Sequence, residues 1–265
     1  MSCFLCPNCG NPLEKNEHTY ICQKGHSFDI AKSGYVNLML NVGQGRHGDD
    51  KAMVHARTDF LNGGYYRPLA NAIMEILKQE NPKTILDAGC GEGYYTRLFS
   101  DCLSEAKVVG LDISKDALAV AAKKCKNCEF AVASTSSMPI QSKTMDCVLT
   151  IFSPFFPEEF YRVLRMGGYF IRVIPLEYHL HELRELVYDH PYDNTVPDLG
   201  IDGFTLIDNK KVEYSISIDG KENIRNLFMM TPYYYKTGRE DQEKLESVSS
   251  LTTTVSFGIV VYRKN

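Results

Sequence analysis

The run Ile85-Leu86-Asp87-Ala88-Gly89-Cys90-Gly91-Glu92-Gly93 constrains this chain more than any other stretch. It reads as a buried strand that breaks into a glycine-rich turn and then enters a helix. A second hydrophobic strand, Val108-Val109-Gly110-Leu111, follows and ends at Asp112. In a strand–helix–strand unit this arrangement brings backbone close to a nucleotide-like ligand and places a carboxylate where a ribose diol would lie. No Lys-Ser/Thr pair follows the glycines, so the loop is not a Walker P-loop. Tyr94 stands where a nicotinamide fingerprint requires a small residue against the pyrophosphate. What remains is Asp-x-Gly-x-Gly-x-Gly with its carboxylate on the strand itself.

The surrounding sequence supplies the sheet that such a loop needs. Strands are expected at 84–88, 107–112, 129–133, 145–152 and 168–174, alternating with helices at 93–102, 115–124 and 157–165. Alternation of this kind predicts a parallel sheet covered by helices on both faces. Two helices precede it, 51–61 with Met53, Ala56, Phe60 and Leu61 on one side, and 68–78 ending before Asn81-Pro82. A helix over 177–188, a loop-rich stretch at 189–203 and a final β-rich run at 252–262, hairpinned with 210–218, complete the reading. Residues 41–50 hold three glycines and no apolar period, which reads as a linker or loop.

The first 22 residues hold four of the nine cysteines. Cys6-Pro7-Asn8-Cys9-Gly10 and Cys22-Gln23-Lys24-Gly25-His26 form C-x2-C…C-x3-H, which meets the demand of Zn2+ for four thiolate or imidazole ligands in a tetrahedron. Three thiolates and one imidazole leave no open position, so one structural zinc per chain is expected on Cys6, Cys9, Cys22 and His26. Cys3 makes a competing pair with Cys6 but lacks the Pro and Gly of a knuckle, and His18 reads as a hairpin residue or a spare ligand. Cys125 and Cys128 form a lone pair at a helix end, expected as a surface or half-buried pair of thiols. Nine cysteines, with no basic-then-apolar leader at the start, argue for reduced thiols in the cytoplasm. No apolar run approaches the ~20 residues of a membrane span. With a formal charge of −4, any nucleic-acid partner would have to be met by a local basic cleft.

The loop pattern resembles motif I of the Rossmann-like S-adenosyl-L-methionine-dependent methyltransferases. A ligand without pyrophosphate tolerates Tyr94 and gains from Asp87 near its ammonium end. Cofactor contacts are accordingly expected from Asp87, Gly89, Gly91, Gly93 and Asp112. Ser134 could touch the adenine or cap a helix, and Ser153-Pro154-Phe155-Phe156 could stack on a base or belong to the core. The whole chain further resembles the bacterial 23S ribosomal RNA guanine-N1 methyltransferases. The likeness rests on the zinc ligands, on His26-x-Phe28-Asp29-x-Ala31-Lys32-x-Gly34-Tyr35-Val36-Asn37-Leu38, on Gly48-Asp49, and on Ala56-Arg57-x-x-Phe60-Leu61-x-x-Gly64-x-Tyr66-x-Pro68-Leu69. It continues through Gly89–Thr96, His179-Leu180-x-Glu182-Leu183 and Met230-Thr231-Pro232. After the fourth strand the family often has Ala-Pro and a small or polar residue, where this chain has Ser153-Pro154-Phe155-Phe156.

That resemblance implies a mostly parallel seven-stranded Rossmann-like sheet preceded by a zinc-ribbon-like module, divided as 1–36 for zinc and RNA recognition, 37–67 for a linker and cleft-lining helix, and 68–265 for the methyltransferase domain. It implies methyl transfer to N1 of one guanine in a hairpin loop of 23S rRNA, a homodimer, and cofactor contacts from Tyr66, Gly91, Glu92 and His179. No residue is identified as the general base; Glu92 and His179 are candidates by position alone. Arg46, His47, Lys51, His55, Arg57 and Arg67 could meet RNA phosphates or form a solvated face with Asp49, Asp50 and Asp59. Two rival functions are a small-molecule methyltransferase with a purely structural zinc module and a non-catalytic RNA-binding protein.

Overall fold

The computed structural model describes residues 2–40 and 48–265. Its first three strands, β1 (Leu13–Lys15), β2 (Thr19–Cys22) and β3 (Ser27–Asp29), form an antiparallel ribbon in the order β1-β2-β3. Such short strands have little apolar surface of their own. Phe4, Leu13, Tyr20, Val36 and Leu38 instead join the cluster that contains Val109, Ala131 and Ile140 of the main body. Backbone bonds from Leu5 N–H to the Pro139 carbonyl and from Gln141 N–H to the Cys3 carbonyl tie the two parts together.

The main sheet contains the seven expected strands and an eighth. β4 (Tyr35–Asn37), from the stretch directly after the zinc ligands, adds in parallel to the sheet edge. α1 (Lys51–Asn62) and α2 (Arg67–Glu80) precede β5 (Thr84–Ala88), α3 (Tyr94–Cys102), β6 (Lys107–Asp112), α4 (Lys115–Lys124), β7 (Glu129–Val132) and β8 (Met145–Ile151). Then follow α5 (Pro157–Val163), β9 (Leu164–Pro175), α6 (His181–Val187), β10 (Phe204–Asp219), α7 (Lys221–Met229), α8 (Tyr233–Lys236), α9 (Arg239–Glu243) and β11 (Ser250–Lys264). The sheet order is β10-β11-β9-β8-β5-β6-β7-β4, with β11 antiparallel to both of its neighbours and the rest parallel. From β5 the chain winds outward through β6 and β7, then returns to the other side of β5 as β8 and β9. That reversal opens a crevice beyond the carboxyl ends of β5, β6 and β8, the usual ligand position in an open α/β sheet.

Most expected boundaries hold within two residues. Three differences have physical causes. α5 stops at Val163 because Leu164 already enters β9, where it pairs with Met145 of β8. The helix expected from 177 begins only at His181, since Leu180 is in the left-handed region (φ 58°) with its N–H on the Thr254 carbonyl. The stretch between the two strands of the final hairpin, for which the sequence predicts no elements, folds into α7, α8 and α9. Cys125 and Cys128, expected as free thiols partly exposed, are buried and bonded to one another. α4 ends at Cys125 and the following turn brings their Cα atoms to 5.6 Å, within disulfide range.

Candidate methyl-donor cavity and zinc site

A cavity of about 1100 Å³ occupies the crevice. Of the eight expected cofactor residues, Tyr66, Asp87, Gly89, Gly91, Glu92, Asp112 and His179 line it. Gly93 lies behind the wall: a Cβ there would come within 2.7 Å of Ala121 Cβ, so its bareness lets α3 approach α4. A Cβ on Gly89 would collide with Ser153, whose hydroxyl donates to the Ala88 carbonyl at 2.6 Å. The loop is therefore clamped between the ends of β5 and β8. On the other side the Gly89 and Cys90 N–H groups share the Leu111 carbonyl, and Asp112 accepts from Gly91 N–H and Ser114 N–H, both at 2.8 Å. Asp112 thus braces the glycine loop. Each of its oxygens keeps a second lone pair for a ribose hydroxyl.

Three carboxyls, Asp87, Glu92 and Asp112, gather at this end. Burial pushes all three upward, Asp87 to about 7, against a hydrogen bond from Thr96 Oγ1 at 2.6 Å that favours its charged form. Asp112 and Glu92 raise Asp87 further by charge repulsion. The Tyr66 and Tyr95 hydroxyls, also on the cavity wall, are buried without a hydrogen-bond partner among the described residues. Acidic groups without a direct ion pair among the described residues, beside such hydroxyls, suit a cationic ligand that carries its own donors and acceptors. S-adenosylmethionine, a sulfonium with ammonium, carboxylate and ribose groups, fits that set.

Opposite lies an aromatic wall. Phe152, at the end of β8, is held at φ 54° and remains exposed, with its ring against His179 (centroids 6.3 Å apart, planes at 19°). His179 is buried, and burial, helped by the Arg184 charge, lowers its pKa to about 3. Its Nδ1 accepts from Ser256 N–H at 3.3 Å, so the neutral ring carries its proton on Nε2. Such a histidine donates a hydrogen bond and does not take up a proton. Of the aromatics singled out after β8, Phe156 lines the cavity, whereas Phe155 stacks on Phe170 in the core and packs under the Arg172 guanidinium at 4.1 Å. Ser134 lines the cavity and caps a turn, its Oγ accepting from Ser136 N–H at 3.2 Å.

At the ribbon, the ligand atoms of Cys6, Cys9, Cys22 and His26 lie within 4.8 Å of one another. Cys9 Sγ and Cys22 Sγ are 3.7 Å apart, and His26 Nδ1 is 3.4 Å from both Cys6 Sγ and Cys22 Sγ. The edges of a tetrahedron with Zn–S of ~2.3 Å and Zn–N of ~2.0 Å are about 3.8 Å and 3.5 Å. The fit supports zinc bound through Nδ1. Two backbone turns build the site, with Gly10 N–H on the Cys6 carbonyl and Gly25 N–H on the Cys22 carbonyl, both at 2.8 Å. Cys3 stays outside the cluster, its thiol pushed to about 11 by burial, and His18 is exposed away from it.

Known proteins divide the chain in the same two parts. Residues 4–41 match the zinc-ribbon family described as "RlmA, N-terminal", and residues 85–168 match a methyltransferase domain. A Bacillus subtilis (strain 168) protein, named provisionally as a 23S rRNA (guanine-N1)-methyltransferase, is 31% identical over 99% of this chain and 98% of its own length. The Streptomyces fradiae 23S rRNA (guanine(748)-N(1))-methyltransferase is 33% identical, over 67% of this chain and 65% of its own length. The chain belongs to the 23S rRNA (guanine-N1)-methyltransferase family. Several stretches through which it resembles that family now have visible work. Residues 35–37 are β4, which joins the ribbon to the sheet. Glu182 accepts from Thr253 Oγ1, Thr254 N–H and Thr254 Oγ1, fastening α6 to β11. Met230, Thr231 and Pro232 line the far end of the cavity. Tyr95 and Phe152 were missed among the site residues. Tyr95 is the second residue of a helix with an ordinary apolar pattern, and Phe152 reads as the last residue of a buried strand.

Of the four described residues of the basic cluster proposed for phosphates, three are used internally. His55 pairs with Asp59 at 2.7 Å, Arg57 pairs with Asp49, and Arg67 Nε donates to Asn71 at 3.0 Å. Lys51 is exposed, and Arg46 and His47 lie outside the described residues.

Proposed function

We propose that this protein transfers a methyl group from S-adenosylmethionine to N1 of a guanine in a hairpin loop of 23S rRNA. One observation carries the reading: buried Asp87 and Glu92 and half-buried Asp112, none in an ion pair among the described residues, face one cavity at the topological switch of a chain whose relatives are named for this reaction. Tyr66, Asp87, Gly89, Gly91, Glu92 and Asp112 hold the donor, and Gly93 supports the loop from behind. The donor's positive sulfur makes its methyl group strongly electrophilic, so the chain's part is to align it and expel water. With adenosine over β6 and β7 and the amino-acid end over β5, the acceptor base enters from the β8 and β9 side, past Phe152 and His179. A loop guanine is already partly unstacked, which lowers the cost of bringing it there. His179 Nε2–H is suited to donate to a carbonyl oxygen on that side.

The division into a zinc and RNA-recognition module at 1–36, a linker and cleft-lining helix at 37–67 and a methyltransferase domain at 68–265 belongs to the same proposal, with β4 bridging the first two. So do a homodimer, a place in the cytoplasm and zinc on Cys6, Cys9, Cys22 and His26. Among the described residues no helix is long and apolar enough to cross a membrane. The test is methyl transfer from labelled S-adenosylmethionine to 23S rRNA that lacks the modification, with the product located by reverse-transcription arrest. Arrest at one loop guanine is expected, because a methyl on N1 blocks its pairing edge. Label absent from the rRNA, or found instead in a small metabolite, would sink the reading.

A further inference from the structure

The donor end of the cavity is rich in carboxyls, but the acceptor end has one. Among the described residues, Asp49, Asp87, Glu92, Asp112 and Asp193 line the wall. Asp49 is paired with Arg57, Asp87 accepts from Thr96, and Asp112 is engaged by the Gly91 and Ser114 N–H groups. Glu92 lies in the glycine loop among these. Asp193 alone stands beyond β9, on the segment that follows α6, with a side chain 56% exposed.

That segment has no regular structure, yet its neighbour Asn194 is pinned. Asn194 Nδ2 donates to the Leu176 and His179 carbonyls at 3.1 and 3.2 Å, and its Oδ1 accepts from Tyr233 OH at 3.0 Å. Asn194 N–H bonds to the Glu177 carbonyl at 3.2 Å. Asp193 is therefore fixed to the turn that carries His179, beside the rings of Tyr192 and Tyr233, which are 6.4 Å apart. Behind it lies Arg184, fully buried, whose Nη2 donates to the Glu177 carbonyl at 2.9 Å and lies 3.7 Å from Asp193 Oδ1, while its Nε and Nη1 have no partner among the described residues. His181 Nδ1 is 3.6 Å from the same oxygen, and its Nε2 is 3.3 Å from Glu185. Both contacts to Asp193 are slightly long, as catalytic contacts often are before substrate binds. Lys236 lines the same end of the cavity.

We infer that Asp193 is the catalytic residue that reads the target guanine and takes its N1 proton, with Arg184 positioning it. The inference rests on the guanine-N1 reading above. Guanine presents N1–H and N2–H2 as adjacent donors, and a carboxylate accepts from both. The N1 proton passes to Asp193, leaving negative charge shared between N1 and O6. N1 then forms its bond to the methyl carbon as the carbon–sulfur bond breaks. That bond's electron pair stays on sulfur, giving S-adenosylhomocysteine and neutral N1-methylguanine. The proton on Asp193 returns to water. His179 does not compete for it, because its Nδ1 already accepts from Ser256 and its Nε2 already carries hydrogen.

The experiment uses the full protein with 23S rRNA, and with hairpin RNA carrying guanosine or inosine at the target. Asp193→Asn is expected to lower kcat about 10²- to 10³-fold and to leave the dissociation constant for S-adenosylmethionine within about twofold. Its residual rate should climb about tenfold per pH unit between roughly pH 7 and 9, as solvent removes the N1 proton, while wild type rises much less. His181→Gln, as a control for the titratable neighbour, should keep the wild-type profile. Inosine, which lacks the N2 amino group, should slow wild type about tenfold or more. It should not slow Asp193→Ala further. An Asn variant within threefold of wild type, or an Ala variant with undiminished discrimination against inosine, overturns the assignment alone. A wild-type protein that labels no guanine overturns the function and the assignment together.

Discussion

Asp87 couples proton to ligand. In the free cavity its carboxyl is raised from the ordinary 3.8 to about 7, chiefly by burial and then by the nearby Asp112 and Glu92 charges. A cation bound beside it favours the ionised form, so binding the donor near pH 7 should release a fraction of a proton. Affinity should then weaken as pH falls below about 7, because the carboxyl must first be stripped of its proton. Titration calorimetry in buffers of different ionisation enthalpy reads that proton directly, and Asp87→Asn should abolish it. The sign for folding is opposite. A folded-state pKa above the unfolded value means stability is fullest below about pH 4 and declines as pH rises toward 7, by an upper bound of roughly 4 kcal/mol. Without ligand, Asp87→Asn should therefore melt above wild type at pH 8, yet bind S-adenosylmethionine more weakly. An Asn variant that neither gains stability at pH 8 nor loses the proton release would remove Asp87 from the site's electrostatics.

The zinc ribbon shows how far elements could be read from the sequence. Its ligands were legible because metal chemistry fixes residue type and spacing, and the glycine loop because close approach demands bare backbone. β4 was not. Three residues carry no period, and Tyr35-Val36-Asn37 becomes a strand only because β7 offers an unpaired edge. The same holds for α7 to α9, whose pattern is broken by Pro232 and Gly238, and for Asp193, which only tertiary packing brings beside Arg184. Continuity between the ribbon and main-body clusters has a testable result. Loss of metal should not leave a loose bead on an intact domain, because Phe4, Leu13 and Tyr20 share the cluster of Val109 and Ile140. Chelation or Cys22→Ser should lower the melting temperature of the one transition by about 6–12 °C, taking ~3 kcal/mol as the cost. Stoichiometric zinc in the native protein and its loss in the variant complete the check. A second, separate transition with the main one unmoved would show instead that the ribbon folds apart.

Over the whole molecule, charge limits how the RNA is held. The formal charge is −4, and Arg57, Lys210, Lys244, Arg162 and Arg165 are each spent on a carboxylate of the same chain. With acidic residues in excess over the chain, phosphates must be met by a local basic face, and the rest of the affinity should come from the shape of the cavity and the base placed in it. On the ribbon, Lys15, Lys24 and Lys32 are exposed, and none makes an ion pair among the described residues. If these three supply the phosphate contacts, log affinity for a single-stranded loop should fall with log salt at a slope of about −2, at ~0.7 per phosphate. Proteins that hold 6–10 phosphates show slopes several times steeper. Binding titrations of the hairpin over a series of potassium chloride concentrations measure this. Lys24→Ala should flatten the slope by roughly 0.7 and leave donor binding unchanged, whereas Arg57→Ala should leave the slope alone because its charge is already matched by Asp49. A slope steeper than about −5, or one that the ribbon lysines do not move, would place the phosphate contacts elsewhere on the protein.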